Sequence, residues 1–245
     1  MTLTMRLIHS VTEPKTNEKE KISIKNVKAF CDYANIEYYQ VIMGLHKELP
    51  PKNSCFRPQH ISFEPKDLGN GIGHLTPAHY GNYLAHRIPI FIEDNKNYDL
   101  IFILEGDAFI DADFEEFANS IGRFYKIAIE QDLSIIGLAN PYLSVDREDY
   151  LVEDVHCNTK YFMEGQGELI PCNKLDAWKN EIETKKWDVW DLFVTNIVTL
   201  KKGVTNKKYI KEIAGKSTLN GWIEGDPIKL KNGQYASEEK VKLYR

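Results

Sequence analysis

The sequence predicts an α/β domain with a mostly parallel central sheet flanked by helices. The apolar run LIFIL at residues 100–104 has the pattern of a strand that is buried on both faces. Residues 5–43 show a strand, helix and strand in succession, as in the first half of a doubly wound sheet. The 245 residues are 42% hydrophobic, which is enough to form the core of one large domain. We expect this domain to span residues 1–215. Residues 216–245 would add one or two strands and a tail that pack on the same domain.

The net charge, the cysteine spacing and the lack of a long apolar N-terminal segment narrow the classes of protein to which this chain could belong. The net charge of -5 argues against a general nucleic-acid-binding protein, which would normally be basic. The four cysteines are widely separated and form no CxxC pair, so we expect reduced thiols in a cytoplasmic protein rather than a zinc site or a disulfide framework. Residues 1–10 lack a long apolar segment, and neither a signal peptide nor a transmembrane span is expected.

The first elements are predicted at residues 5–9 (strand), 20–33 (helix) and 37–43 (strand). No GxGxxG follows the first strand, which argues against an ordinary dinucleotide-binding fold. His9, Ser10 and Thr12 stand at the end of this strand, where they could contact a nucleotide base or ribose. A polar loop without a ligand explains them equally well. Residues 49–70 contain four prolines and are predicted to be irregular, as part of a substrate pocket.

A helix is predicted to begin at residues 76–77, because Thr76 is a suitable N-cap and Pro77 a suitable first helical residue. His79, Tyr83 and His86 then fall near one face of this helix. Histidines on a helix face are commonly structural. The strand that follows this helix carries two acids, which strengthens the functional interpretation.

Glu105 and Asp107 follow the apolar run directly, at the strand end where ligands bind in open α/β sheets. Residues i and i+2 of an extended segment point to the same side, and Gly106 leaves room for a ligand to approach the backbone. Two such carboxylates could hold a divalent cation together with water and substrate phosphate. The alternative is a solvated turn that caps the next helix.

Beyond this strand, a helix is predicted up to residue 131, with Asp111 and Asp113 as capping acids. A strand at 133–138, a charged loop at 145–154 and a helix at 174–183 follow. Another helix is predicted from residue 187, which would make Asp188 and Asp191 neighbours on one face. Residues 201–211 are basic and could meet a diphosphate or an anionic membrane surface, with a solvated face as the default.

Two blocks of this sequence resemble known signatures. The helix LTPAHYGNYLAH at residues 75–86, followed by IFILEGDA at residues 101–108, is similar to the signature blocks of glycosyltransferase family 25. That family includes lipopolysaccharide-type sugar transferases and collagen galactosyltransferases. Order, spacing and strand-end acids agree over residues 75–110. This chain departs from the family pattern at several positions. It has Ala78-His79 where the pattern has a Gly-Glu pair, Asn82 where it has cysteine, Ala85 where it has serine, and Gly106 where it has the first of two aspartates. The arginine pair of the family's N-terminal pattern is also missing.

The resemblance implies a GT-A-like (Rossmann-like) fold and a hexosyltransferase that moves a sugar from a nucleoside-diphosphate donor, expected to be a UDP-sugar. It implies Mn²⁺ or Mg²⁺ held by Asp107 and Glu105, and a glycan or lipid-linked acceptor. A carboxylate base is needed only if the reaction inverts configuration. We expect that base to be Asp188 or Asp191, with Glu164 next, while an N-cap and core tryptophans explain Asp188 and Asp191 equally well. Gln166 and Glu168 are further candidates on the acceptor side, with a polar hairpin as the alternative for that stretch. The residues expected to contact the donor are His9, Ser10, Thr12, His79, Tyr83 and His86.

Two other functions stay open at this point. One is a nucleotidyltransferase-like Mg²⁺ enzyme, for which Lys15, Lys19 and Lys21 only partly imitate the usual basic, glycine-rich loop. The other is a non-catalytic glycan-binding protein on a decayed transferase scaffold, which the replacements at residues 79 and 106 would permit.

Overall fold

The structure is a computed structural model that describes residues 3–44, 52–56, 75, 77–139, 150–160, 162, 166–213, 215–216, 223–224, 228–229 and 235–236. The helices are α1 (Glu18–Ala34), α2 (Pro77–Ile90), α3 (Phe114–Glu130), α4 (Leu175–Thr184) and α5 (Trp190–Asn196). The strands are β1 (Met5–Val11), β2 (Glu37–Ile42), β3 (Leu100–Glu105), β4 (Ala108–Ile110), β5 (Ile135–Gly137), β6 (Tyr150–Val152), β7 (Val155–Cys157), β8 (Gly167–Pro171), β9 (Lys202–Thr205), β10 (Ile210–Glu212), β11 (Gly215–Lys216), β12 (Ile223–Glu224), β13 (Ile228–Lys229) and β14 (Tyr235–Ala236).

Eight strands form the central sheet, in the order β2-β1-β3-β8-β5-β9-β7-β6. β1 pairs in parallel with both β2 and β3, and β5 pairs in parallel with β9. β8 runs antiparallel to β3 and β5, and β7 runs antiparallel to β9 and β6. Six of the eight strands therefore point in one direction. The predicted α/β class with a mostly parallel sheet is confirmed, with two reversed strands.

Helices cover both faces of this sheet. On one face, α1 and α3 pack Phe30 and Phe117 against Leu7 and Phe102 of the strands. On the other face, residues of α2, α4 and α5 pack against Ile8, Ile101 and Ile103. Alternate residues of β3 thus enter opposite layers of the core, and every residue from 100 to 104 is buried. This explains why the strand reads as a continuous apolar run rather than an alternating one.

Capping residues place the two helices of the first face. Asn17 caps α1 by accepting a hydrogen bond from the backbone N–H of Lys19, and Asn35 ends it in the left-handed conformation. Asp113 caps α3 by accepting from the N–H groups of Glu115 and Glu116, as predicted. Asp111 does not cap this helix, because its carboxylate pairs with Lys211 instead.

Two local predictions were wrong. The predicted loop at 145–154 contains β6, which pairs with β7 directly after it in the chain. The predicted helix start at residue 187 is three residues early. Trp187 is held in an extended bridge with Cys55, with its N–H donating to the Ser54 carbonyl at 3.1 Å. Asp188 therefore precedes α5, and it does not share a helical face with Asp191.

Among the described residues, no helix is both long and apolar enough to cross a membrane.

At Gly106, between β3 and β4, the position that a Cβ would occupy is filled by other parts of the chain. A Cβ added there would lie 2.9 Å from Oε1 of Glu20 and 3.1 Å from the carbonyl oxygen of Ser10. The Glu20 carboxylate cannot easily move, because it accepts hydrogen bonds from Thr12 N and Oγ1 and from Glu13 N, at 2.8, 2.5 and 2.8 Å. Glu20 therefore fills the side of Gly106 on which a side chain would stand, and the approach of a ligand to the half-buried Gly106 backbone stays a prediction.

We expect Gly106→Ala to lower the free energy of unfolding by about 1–3 kcal/mol, because the added methyl group forces Glu20 out of its contacts. The matched control is Gly122→Ala, in the interior of α3, where an added Cβ meets no heavy atom within 4 Å. This control should raise the stability by about 0.5–1 kcal/mol. Urea unfolding measures both, and equal effects of the two substitutions would contradict the packing described for Gly106.

Candidate active site

The strand-end acids lie where β1 and β3 finish side by side, with Ser10 in register with Glu105. β8 runs in the opposite direction, so its first residues lie at this same edge, and Glu168 pairs with Ile103. Because side chains alternate along a strand, Glu105 and Glu168 point to the face that carries α2 and α5. The carboxylates of Glu105 and Glu168 thus face α2, the helix that carries the predicted site histidines.

Five residues here form a closed chain of hydrogen bonds, which we call the Glu105 ring: Asn82, His86, Glu105, Glu168 and Trp190. His86 lies between the carboxylates, with Nε2 3.1 Å from Glu105 Oε1 and Nδ1 3.1 Å from Glu168 Oε2. The Trp190 indole N–H donates to Glu168 Oε1 at 2.5 Å. Asn82 Nδ2 donates to Glu105 Oε1 at 2.7 Å, and the backbone N–H of Trp190 donates to Asn82 Oδ1 at 3.2 Å.

Burial gives this ring its electrostatic character. His86, Glu168 and Trp190 are fully buried, whereas the Glu105 side chain is 20% exposed. Burial alone would lower the pKa of His86, but the charge of Glu168 and the hydrogen bonds with Glu105 and Glu168 raise it to about 10. Burial raises the pKa of Glu105, opposed by the hydrogen bond and charge of His86. The imidazolium stacks on the Trp190 ring, with centroids 4.9 Å apart and an interplanar angle of 5°.

Asp107 belongs to a second ionic cluster, formed with Lys19 and Glu212. Lys19 Nζ lies 2.9 Å from Asp107 Oδ2 and 3.3 Å from Glu212 Oε1. Lys19 comes from the first turn of α1, and β10 carries Glu212 to the site by pairing with β4. Burial would lower the pKa of Lys19, but the Asp107 charge and hydrogen bond, together with Glu212, raise it. Asp107 remains accessible, with 27% of its side chain exposed.

The three candidates at the end of β1 make internal contacts. His9 is fully buried, with Nε2 3.1 Å from the Glu105 carbonyl oxygen and Nδ1 3.2 Å from the Tyr38 hydroxyl. Burial lowers the pKa of His9 to about 4, outweighing the Glu105 hydrogen bond and the Asp107 charge. Ser10 donates to the Ala85 carbonyl at 2.7 Å, and Thr12 bonds to Glu20. These contacts fix the strand end, and a role in donor binding remains a prediction.

His79 and Tyr83 lie on the same buried face of α2 as His86. Tyr83 sits among aromatic rings, with centroid distances of 6.2 Å to both Trp187 and Trp190 and 5.2 Å to Phe193. Burial raises the pKa of Tyr83 to about 12, so its hydroxyl stays protonated. The predicted shared face is confirmed, and His86 on this face contacts the strand-end acid Glu105.

The candidate bases differ in accessibility. Asp188 is 2% exposed, and its Oδ1 accepts from the backbone N–H of Val189 at 2.7 Å. Asp191 is half-buried in the first turn of α5, one residue beyond the Glu105 ring. Glu164 lies outside the described residues, as does the predicted N-cap Thr76.

Sequence reasoning singled out His86 but did not identify the other partners of the two acids. Asn82 was noted only as a departure from a motif, and Lys19 only as part of an imperfect basic loop. Glu168 carried a usable signal, because it is the one charged residue in the buried strand GELIP. Such a charge is expected to have a partner, although the sequence does not say which residue supplies it.

The carboxylates suit a divalent cation only if a ligand completes its coordination. Within the described ranges, no group of three or more His, Cys, Asp or Glu side chains is arranged to hold a metal. The contacts above use one oxygen each of Glu105 and Asp107, which leaves a second oxygen on each. Mg²⁺ commonly takes one or two carboxylates together with substrate phosphates and water.

Charge also favours a cation at this edge. With His86 protonated, the Glu105 ring and the Asp107 cluster hold four carboxylates and two cationic side chains, which leaves two negative charges. An anionic phosphate ligand would be repelled unless positive charge accompanied it. The residues present therefore fit a divalent cation that binds together with a phosphate ligand.

Comparison with known proteins does not identify a family. The sequence matches no family model and no curated protein. One solved structure with a detectable likeness is a glycosyltransferase involved in the glycosylation of the major capsid of PBCV-1, with a TM-score of 0.41 and 10% identity. The match covers 74% of this chain and 65%, just under two thirds, of the other protein. A match at this level establishes neither the family nor the activity of the chain.

The two buried histidines should respond oppositely to pH. The pKa of His86 is raised from 6.5 to about 10, so its contribution to stability is complete below pH 6.5 and is lost as the pH rises through about 10. The pKa of His9 is lowered to about 4, so the folded protein loses stability as the pH falls from 6.5 towards 4. We expect side-chain ¹⁵N NMR to show a protonated His86 at pH 8 and a neutral His9 at pH 5.

The NMR signals of the two histidines are assigned by their disappearance in His86→Gln and in His9→Asn. Urea unfolding provides a second measurement, since His86→Gln should flatten the loss of stability between pH 7 and 9. A neutral His86 imidazole at pH 8 would contradict the charge assigned to the Glu105 ring.

Proposed function

We propose that this chain is a glycosyltransferase that moves a sugar from a nucleoside-diphosphate donor, such as a UDP-sugar, to a hydroxyl of a glycan or lipid-linked acceptor. One observation carries the proposal. The two sequence blocks that resemble family 25 glycosyltransferases meet in space, since Asn82 and His86 of the first block hydrogen-bond to Glu105 of the second. Residues that share only a chance pattern have no reason to form one charged, partly buried site. We also propose a cytoplasmic location, which rests on the widely separated cysteines of the sequence.

In this proposal Asp107, with Glu105 beside it, would hold Mn²⁺ or Mg²⁺ together with the donor diphosphate. A cation held there would supply positive charge against the negative charge that develops on the leaving diphosphate. Lys19 holds Asp107 by one carboxylate oxygen, and the Glu105 ring holds Glu105 in the same way. Each acid is thus oriented by the protein while its second oxygen serves the ligand.

For an inverting reaction, Asp191 is the better candidate for the base that accepts the acceptor's proton. A base must reach the reacting hydroxyl, directly or through one water. Asp191 is half-buried and adjoins Trp190, whose backbone N–H contacts Asn82. Asp188 is almost fully buried, and its carboxylate accepts a hydrogen bond from the backbone N–H of Val189, just before α5. A base on α5 would place the acceptor on the side of the Glu105 ring.

The first test measures hydrolysis of a panel of UDP-sugars with Mn²⁺ and with EDTA. We expect hydrolysis that requires Mn²⁺ and that falls on the order of 100-fold in Asp107→Asn, because a group that neutralises developing charge is disabled. Asp113→Asn is the matched control, since it removes one nearby carboxylate charge while asparagine still caps α3. It should retain full activity.

Other results of this test would point elsewhere. Turnover that is unchanged by EDTA and by Asp107→Asn would overturn the metal assignment. Release of pyrophosphate from nucleoside triphosphates would favour a nucleotidyltransferase. Glycan binding without turnover of any donor would favour a non-catalytic binding protein.

The second test separates transfer from donor hydrolysis. We expect Asp191→Asn to lower sugar transfer to the acceptor by about 100-fold or more, with little change in donor binding, because only deprotonation of the acceptor is impaired. Asp176→Asn changes an exposed acid in the first turn of α4 and serves as the control. Loss of transfer in Asp188→Asn instead would move the base to Asp188, and full transfer in both variants would argue against a base on this segment.

A further inference from the structure

The Glu105 ring is closed, although its members come from four separate elements. Trp190 closes it by donating twice, from its indole to Glu168 and from its backbone to Asn82. Both oxygens of Glu168 are occupied, one by Trp190 and the other by His86. Glu168 therefore holds one ring nitrogen of His86, while the other nitrogen contacts Glu105.

We propose that Glu168 is a positioning residue that acts through His86 to aim Glu105 at the metal and diphosphate of the donor. The proposal rests on the proposed function, because it assumes that Glu105 faces that ligand. Glu168 itself is fully buried and reaches no exterior surface. Its influence on a ligand must pass through the ring.

The directions of the hydrogen bonds support this chain of contacts. Glu105 Oε1 accepts from both Asn82 and His86, so the orientation of the carboxylate is defined by two donors. His86 cannot rotate, because Glu168 holds its other nitrogen and Trp190 stacks on its ring. The remaining Glu105 oxygen is thereby directed away from the donors, on the only carboxylate of the ring with an exposed side-chain fraction.

Packing alone does not explain the buried acid at position 168. Its neighbours Leu169 and Ile170 are buried in the apolar layers of the sheet, where an apolar side chain would be easier to accommodate. Residues that orient a metal-binding carboxylate from behind typically change ligand affinity or activity by about 10- to 100-fold when they are substituted. Such a role accounts for a carboxyl side chain at this depth.

The test measures the affinity of the full chain for Mn²⁺ with UDP by titration calorimetry, together with the melting temperature. We expect Glu168→Gln to weaken binding about 10-fold, because the amide preserves volume but removes the charge that holds His86. Glu181→Gln is the matched control. Glu181 is also buried and accepts a hydrogen bond, from Thr199 at 2.6 Å, but it lies on α4 away from the ring. It should bind as the wild type does.

A double-mutant cycle shows whether Glu168 acts through Glu105. If it does, Glu105→Gln combined with Glu168→Gln should bind no more weakly than Glu105→Gln alone. If the two losses multiply, Glu168 acts independently of Glu105 and the proposal is overturned. Should Glu168→Gln not fold, Trp190→Phe removes the indole donor while keeping an aromatic ring beside His86, and it should weaken binding by about 3-fold.

The remaining outcomes separate this proposal from the proposed function. Wild-type protein that binds Mn²⁺ and UDP, with equal affinity in Glu168→Gln and only a lower melting temperature, would leave the function standing and overturn the positioning role. Wild-type protein that binds neither probe would overturn both.

Discussion

The placement of His86 between Glu105 and Glu168 is the interaction on which the candidate site depends. A buried imidazolium with carboxylates on both nitrogens is favourable only while all three groups keep their geometry, since an unpaired charge at this depth is expensive. The contact ties α2 to β3 and β8 at once, and Trp190 brings α5 into the same arrangement. A shift of any of these elements would break a charged hydrogen bond, so the ring makes the position of α2 a matter of electrostatics as well as packing.

The two faces of the sheet differ in the interactions that stabilise them. The face of α1 and α3 is an apolar core around Phe30, Phe117 and Phe124, where shape and buried area supply stability. The face of α2 and α5 carries the charged ring inside an aromatic surround. Lys19 crosses this division, because α1 begins at the carboxyl edge and delivers its ammonium to Asp107. The site is thus assembled from residues on both faces of the sheet, at its carboxyl edge.

The elements that were predicted correctly are those whose structure depends on a short segment alone. The apolar run of β3, the periodicity of α1 and the capping acid of α3 are properties of short segments, and they matched closely. Features that distant segments decide were not predicted. Trp187 is extended because it pairs with Cys55, more than a hundred residues earlier, and Gly106 is required because Glu20 returns from α1.

The candidate site shows the same limit. Both strand-end acids could be named from sequence, because an apolar strand that ends in carboxylates is a visible pattern. His86, which contacts Glu105, could also be named, because its helix directly precedes the strand with the two acids. Lys19 and Glu168 could not be placed in the site, since Lys19 reaches Asp107 across 88 positions and Glu168 reaches His86 across 82. Nothing in the spacing of the chain encodes which cation meets which acid.

The departures from the family 25 pattern bear on whether the scaffold has decayed. At position 82, where the pattern has cysteine, Asn82 donates to Glu105 and accepts from Trp190, which closes the ring. At position 106, where the pattern has aspartate, the space for a side chain is taken by Glu20, whose carboxylate shapes the end of β1. Both departures are matched by contacts within the chain, and Glu105 and Asp107 keep their hydrogen-bond partners. Neither replacement leaves one of the two acids without a partner, and so neither is by itself a sign of decay.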